Sequence, residues 1–284
     1  MKILSKLLHK ILPAALLFTF AACGSSEQDE NTNATTMDTA AAASDTTNQT
    51  QDFFYSLPSP LLMAKVFKKT GLKYVEGVAN SPENVSKYSS MHSKTLNLGV
   101  YSADLAYTVL NKQSEQASRY MESVKRLSDE LGMSSLFATD DYLKRFKNNL
   151  NNEDSLINVV CALKGEMDMF MKDNDKEKQT LLIFIGAWVE NLYIATQLTK
   201  EANKEKVAAR IAEQKYILNS LMNVSVHFQS SDEDFKRTYE KLSELKSMFD
   251  NLTVQGEDEK LTMDERQLKA ITEKTRDFRK EIVG

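Results

Sequence analysis

The sequence predicts an all-α fold, a helical bundle of about nine helices, on three observations. All four prolines (Pro13, Pro58, Pro60, Pro82) lie ahead of residue 83, so residues 83–284 form a stretch of 202 residues without a proline. Apolar residues recur three and four apart through most of that stretch, the period of one helix face. Capping residues and glycines fall at the ends of those periodic runs. With 9 glycines and 4 prolines in 284 residues, the chain is also short of the turn residues that a many-stranded fold needs.

The N-terminus reads as an address. Lys2, Lys6 and Lys10 precede an apolar run from Ile11 to Phe20, the charge and length of an export signal and too short to span a bilayer comfortably. Phe20-Ala21-Ala22-Cys23 follows. These residues resemble the lipobox of bacterial lipoproteins, with Phe where Leu is commonest. The resemblance implies that residues 1–22 are removed and that Cys23 becomes an acylated N-terminus. Two or three acyl chains hold a protein to a membrane stably where one holds marginally, because each buried methylene contributes about 0.8 kcal/mol.

Residues 24–52 are almost wholly Gly, Ser, Thr, Asn, Gln, Ala, Asp and Glu, a composition that predicts a disordered tether. Twenty-nine such residues have a root-mean-square span on the order of 30 Å and a limit of about 100 Å. The run Glu27-Gln28-Asp29-Glu30 resembles the surface-export signal of Bacteroidetes-type lipoproteins. Asp38-Thr39-Ala40 and Asp45-Thr46-Thr47 resemble their O-glycosylation sites, which marks Thr39 and Thr46; a plain solvated linker is the alternative. The expected organisation is a signal peptide over 1–22, the lipidated Cys and acidic tether over 23–52, and one helical domain over 53–284.

Within that domain, Ser59-Pro60 opens a first helix with a capping residue and a first-turn proline, and Gly71 closes it. Ser81-Pro82-Glu83 repeats the device for a long helix to about Leu110, and residues 111–114 turn the chain. Ala117, Tyr120, Met121, Val124, Leu127 and Leu131 form the stripe of the next helix, stopped by Gly132. Thr139 is the expected cap of a short helix broken at 148–152, and Leu156, Ile157, Val160, Leu163, Met167 and Phe170 mark another. Further helices are expected at about 176–199, 204–228, 232–250 and 263–282. Ser231 before Asp234, and Thr262 before Glu265, stand at capping-box spacing.

Leu96–Leu110 and Leu181–Leu198 are apolar nearly all round, which predicts helices enclosed by neighbours at the centre of the domain. They also match each other: Gly99-Val100-Tyr101 with Asp104-Leu105 against Gly186-Ala187-Trp188 with Asn191-Leu192, 87 residues apart. The match reads as a candidate duplicated helical hairpin, with chance matching as the alternative. A glycine inside an apolar helix costs about 1 kcal/mol against alanine, and close approach of a neighbouring backbone is the compensating reason to have one.

Chemistry is sparse. Only Cys23 and Cys161 are present, which excludes an intrachain disulfide scaffold and Cys-based metal sites. Cys161, in an apolar run, is expected to be a buried inert thiol. His92 and His227, the histidines beyond the signal, sit in no metal-binding pairing, and His92 reads as a solvated helix-face residue. Asp173-Asn174-Asp175 imitates a calcium loop but lacks the glycine and the closing Glu, so it reads as a helix connection with a capping Asp. No catalytic set, metal site or cofactor is assigned. Residues 58–284 keep 33 of the 36 bases and 34 of the 40 acids, so no basic excess favours a nucleic-acid partner.

The best remaining constellation is one acid in each enclosed helix, Asp104 and Glu190, with Tyr101, Tyr107, Trp188 and Tyr193 on the same helices. Acids are rarely buried unpaired, so these could line a polar pocket for a cationic or hydroxyl-rich ligand, or simply make structural hydrogen bonds. From Tyr55-Ser56-Leu57-Pro58-Ser59-Pro60 through Leu98–Tyr107 to the Trp188 helix, the domain is similar to an uncharacterised all-helical lipoprotein family of Bacteroidetes. That resemblance implies fold and location, and no activity. The expectation is a lipid-anchored, non-enzymatic envelope protein at the outer membrane, with the membrane and another envelope protein as partners. A small-ligand-binding lipoprotein is the alternative.

Overall fold

A helix with no polar face has to be walled in on every side, and two such helices need a bundle around them. The computed structural model describes residues 58–139, 141–199, 204–255 and 260–284 and shows an all-α fold of this kind, with eleven α-helices among the described residues. In chain order these are α1 (Pro60–Lys68), α2 (Met91–Leu110), α3 (Ser114–Glu130), α4 (Ser135–Thr139), α5 (Tyr142–Asn148), α6 (Glu153–Asp173), α7 (Glu177–Gln197), α8 (Lys204–Ala212), α9 (Gln214–Ser225), α10 (Glu233–Asp250) and α11 (Glu265–Val283).

The two enclosed helices are α2 and α7, packed on each other at the centre. From Thr95 to Leu110 every residue but Ser102 is buried, and from Leu181 to Thr196 every residue but Ile183 and Tyr193. Their contact is closest at the two glycines. A Cβ on Gly99 would fall 1.9 Å from the Ile183 carbonyl oxygen, and one on Gly186 would fall 2.0 Å from that of Leu96. The expected reason for glycine here, backbone against backbone, is therefore met at both positions.

α2 serves two cores from opposite faces. Leu98, Tyr101, Leu105 and Val109 join α3, α5 and α6 in one. Leu96, Val100, Ala103 and Tyr107 join α7 and the helices after it in the other, with Trp188, Leu218, Phe235, Phe249 and Ile271. Ala106 and Leu110 meet Leu61 and Ala64 of α1.

Six local expectations are corrected. Ser81-Pro82 opens a 3-10 helix, Pro82–Lys87, and not the long helix. Tyr88 then turns extended and inward, and Ser90 starts α2 by accepting from Ser93 N at 3.0 Å. Successive serines offer competing caps, so the chain restarts there. The helix expected over 204–228 divides at Glu213 into α8 and α9. Asp141, not Thr139, caps α5. Asp232, not Ser231, caps α10, and Asp264 with Gln267, not Thr262 with Glu265, forms the capping box of α11. Thr262 is instead engaged in a short antiparallel ladder of β1 (Thr253–Gln255) with β2 (Lys260–Thr262), in which it faces Thr253. At 173–176 no Asp caps α7; Asp175 takes a left-handed turn with φ 49°.

Candidate functional site

Glu190 lies on α7 with no exposed side chain, and a buried carboxylate is tolerable only with a partner. Its partner is Arg279, brought in by α11 from the far end of the chain. The guanidinium grips the carboxylate with two bonds, Nε to Oε2 at 2.9 Å and Nη2 to Oε1 at 3.1 Å, the fork geometry that makes such pairs strong. The guanidinium carbon also stands 4.5 Å from the ring centre of Tyr193, three residues past Glu190 on α7. Burial works against the arginine's charge, but Glu190 and then Asp104 outweigh it and push its pKa up.

Asp104 enters the same cluster from α2. Its Oδ2 accepts from the backbone N–H of Asn80 at 3.2 Å, and its Oδ1 has no hydrogen-bond partner. Burial first, and the Glu190 charge second, raise the Asp104 pKa well above the ordinary carboxylate value, against the smaller pull of Arg279. A proton kept on Asp104 leaves the three buried groups without net charge. Asn80 closes this side: its amide donates to the Tyr88 hydroxyl at 2.8 Å and accepts from Asn84 at 2.8 Å.

Of the six residues singled out in the sequence, Asp104, Glu190 and Tyr193 come together. The other three are placed apart. Tyr101 is in the α3–α6 core, between Tyr88 and Tyr120, and donates to Ser81 O at 2.9 Å. Tyr107 ties down the 73–75 segment, accepting from Val75 N at 2.8 Å and donating to Lys73 O at 3.3 Å; burial pushes its pKa up to about 12. Trp188 donates to Gln214 Oε1 at 3.1 Å inside the other core.

Arg279 was missed. A basic residue among Leu268, Ile271, Thr275, Phe278 and Ile282, the buried stripe of α11, is the signal that could have found it. Cys23, Thr39 and Thr46 lie outside the described residues. Among the described residues no group of three His, Cys, Asp or Glu is placed to hold a metal, and no helix is long and apolar enough to cross a membrane.

A second feature lies away from this cluster. An apolar groove of about 100 Å³ opens between α1, α2, α3, α6 and α7. Leu105, Val124, Val160, Met167, Met171 and Phe184 form its walls, Pro58–Leu61 line one end, and the Lys164–Asp168 ion pair lies alongside. Cys161 belongs to this groove and is exposed, which corrects the expectation of a buried thiol. The stripe of α6 that faces the core is Leu156, Val159, Leu163, Met167 and Met171, and Cys161 stands off it. Neither this groove nor a smaller cavity of about 20 Å³ beside Tyr107 and Asn191 is lined by Asp104 or Glu190.

His92 is half-buried and not fully solvated: Nε2 lies 3.0 Å from Thr238 Oγ1, and burial lowers its pKa. Compared with protein-family models, with curated proteins and with solved structures, the chain finds no match.

Proposed function

We propose that the protein is a lipid-anchored, non-enzymatic component of the cell envelope, held at the outer membrane through acyl chains on Cys23 and binding another envelope protein through its helical body. The observation that carries the binding half is the apolar groove walled by Val160, Met167, Met171 and Phe184. Methionines adapt to irregular apolar partners, and an apolar groove between helices is a usual seat for a partner's anchoring side chain. The anchoring half rests on the lipobox-like Phe20-Ala21-Ala22-Cys23 and the acidic tether that follows it.

The alternative, a small ligand held between the central helices, draws on the convergence of Asp104 and Glu190. It would require Arg279 to release a two-bond grip on Glu190, so the cluster is better read as an internal brace.

Native pull-down from detergent-solubilised membranes tests the reading. The intact chain should retain a stoichiometric protein partner, Cys23→Ala should leave the membrane fraction, and Cys161→Glu, which puts a charge in the groove at an exposed position, should lose the partner while remaining anchored. No stoichiometric partner, or one indifferent to the groove charge, overturns the binding half; an unacylated mature N-terminus by mass spectrometry overturns the anchor.

A further inference from the structure

The groove is open at the point where the chain enters the domain. Pro58, Ser59, Pro60 and Leu61 line one end of it, and the five residues just ahead of them are Phe53-Phe54-Tyr55-Ser56-Leu57. These are the first aromatic residues after the 29-residue polar stretch 24–52, and four of the five carry large apolar or aromatic side chains.

We propose that this run is the occupant of the groove, seated in cis along α6. Three considerations converge. Five extended residues reach about 17 Å from Pro58, enough to run along the groove. A volume of about 100 Å³ is the scale of one aromatic ring, given that an apolar cavity of about 150 Å³ takes benzene. The walls offer Val160, Met167, Met171 and Phe184 to such a ring, and burying the ring there removes apolar surface of both from water. The cis seat does not rest on the binding reading above.

Site-specific photo-crosslinking tests it in the full chain. Phe53, Phe54 and Tyr55 are replaced one at a time by p-benzoylphenylalanine, whose ketone inserts into nearby C–H bonds, and the adducts are mapped by mass spectrometry. The expected result is an intramolecular adduct on the α6 peptide that carries Met167 and Met171, from at least one position. An adduct joining two copies, an adduct on lipid or detergent, an adduct elsewhere in the chain, or none from any position overturns the proposal.

A second measurement uses the exposed Cys161. In the Cys23→Ala background it is the single thiol, and replacing Phe53, Phe54 and Tyr55 together by alanine should raise its rate with a small thiol reagent about threefold, because the groove then stays open. An unchanged rate counts against the seat. Neither measurement contains a partner, so a missing partner in the pull-down leaves the cis seat standing, and a missing adduct leaves the partner reading standing.

Discussion

Replacing Gly99 by alanine adds one methyl group to the tightest point of the molecule. That Cβ would lie 1.9 Å from the Ile183 carbonyl oxygen and 2.8 Å from Ala187 N, both backbone atoms of α7. No side-chain rotation relieves this. Opening the first gap to the 3.0 Å below which real Cβ contacts essentially do not occur means separating α2 from α7 by about 1.1 Å, along helices that supply both cores. Overpacking of a well-filled core costs about 1–3 kcal/mol, and a rigid backbone obstacle belongs at the upper end; alanine's better helix propensity returns about 1 kcal/mol. The expected net loss is about 2 kcal/mol, or roughly 4–8 °C in Tm for a domain of this size.

The control is Gly165→Ala on α6, where an added Cβ meets nothing within 4 Å; the same chemical change should there raise stability by up to about 1 kcal/mol. Urea and thermal unfolding followed by circular dichroism read both. The double variant Gly99→Ala with Gly186→Ala should lose less than the two single losses together, because one separation relieves both clashes. A Gly99→Ala protein within about 0.5 kcal/mol of the parent, beside a stabilised Gly165→Ala, would refute the close approach.

The buried cluster yields the remaining predictions. Arg279→Met leaves Glu190 buried without its base and should cost about 3–5 kcal/mol, much of it recovered when Glu190→Gln is added; a double-mutant cycle by urea unfolding measures the coupling. For pH, the folded state keeps on Asp104 a proton that the unfolded chain releases at the ordinary Asp value of 3.8. The contribution is therefore complete below that pH and declines as pH rises through the higher native value. Asp104→Asn, a neutral isostere that needs no proton, should flatten this decline above about pH 4, and a parent curve that rises there relative to the variant would contradict the retained proton. Asp232 has the opposite sign: Lys178 and the Phe235 N–H hold its carboxyl at about 2, so its contribution is present above the ordinary Asp value and is lost as acid titrates it. Asp232→Ala should cost about 1 kcal/mol at neutral pH as the α10 cap goes and little at pH 2. Trp188, the only tryptophan and fully buried, should resist acrylamide quenching until unfolding.

What the sequence made legible follows from how local each signal is. The all-round apolarity of 96–110 and 181–198 specifies an enclosed helix without knowing its neighbours, and a glycine within it specifies contact without knowing the partner. Helix starts were less legible, because Ser89-Ser90, Ser231-Asp232 and Thr262-Asp264 each offer several caps, and tertiary context selects among them. The cluster was half legible. Two buried acids announce that something must neutralise them, but the neutraliser is 89 residues beyond Glu190, and one chain carries no signal of that pairing except a basic residue on an otherwise apolar stripe.

The reciprocal glycine contact bears on whether α2 and α7 are copies of one unit. Gly99 meets Ile183 and Gly186 meets Leu96; Leu96 and Ile183 are separated by 87 positions, as are Gly99 and Gly186, and each lies three residues before its own glycine. A pair of equivalent helices related by a two-fold axis produces this exchange, whereas a chance match in sequence places no constraint on which carbonyl each glycine approaches. The equivalence stops short of the flanks. α3 is one helix packed along α2, while the chain after α7 divides into α8 and α9. At the positions matching by offset, Asn191 spends its amide on Ala187 O in its own helix at 2.9 Å, but Asp104 turns to Asn80 and Glu190. The buried acid pair is thus an asymmetric addition to a symmetric crossing. Helix α11, which supplies Arg279, fastens on the α7 side of that crossing, so the charge pattern tells the two halves apart where the backbone contact does not.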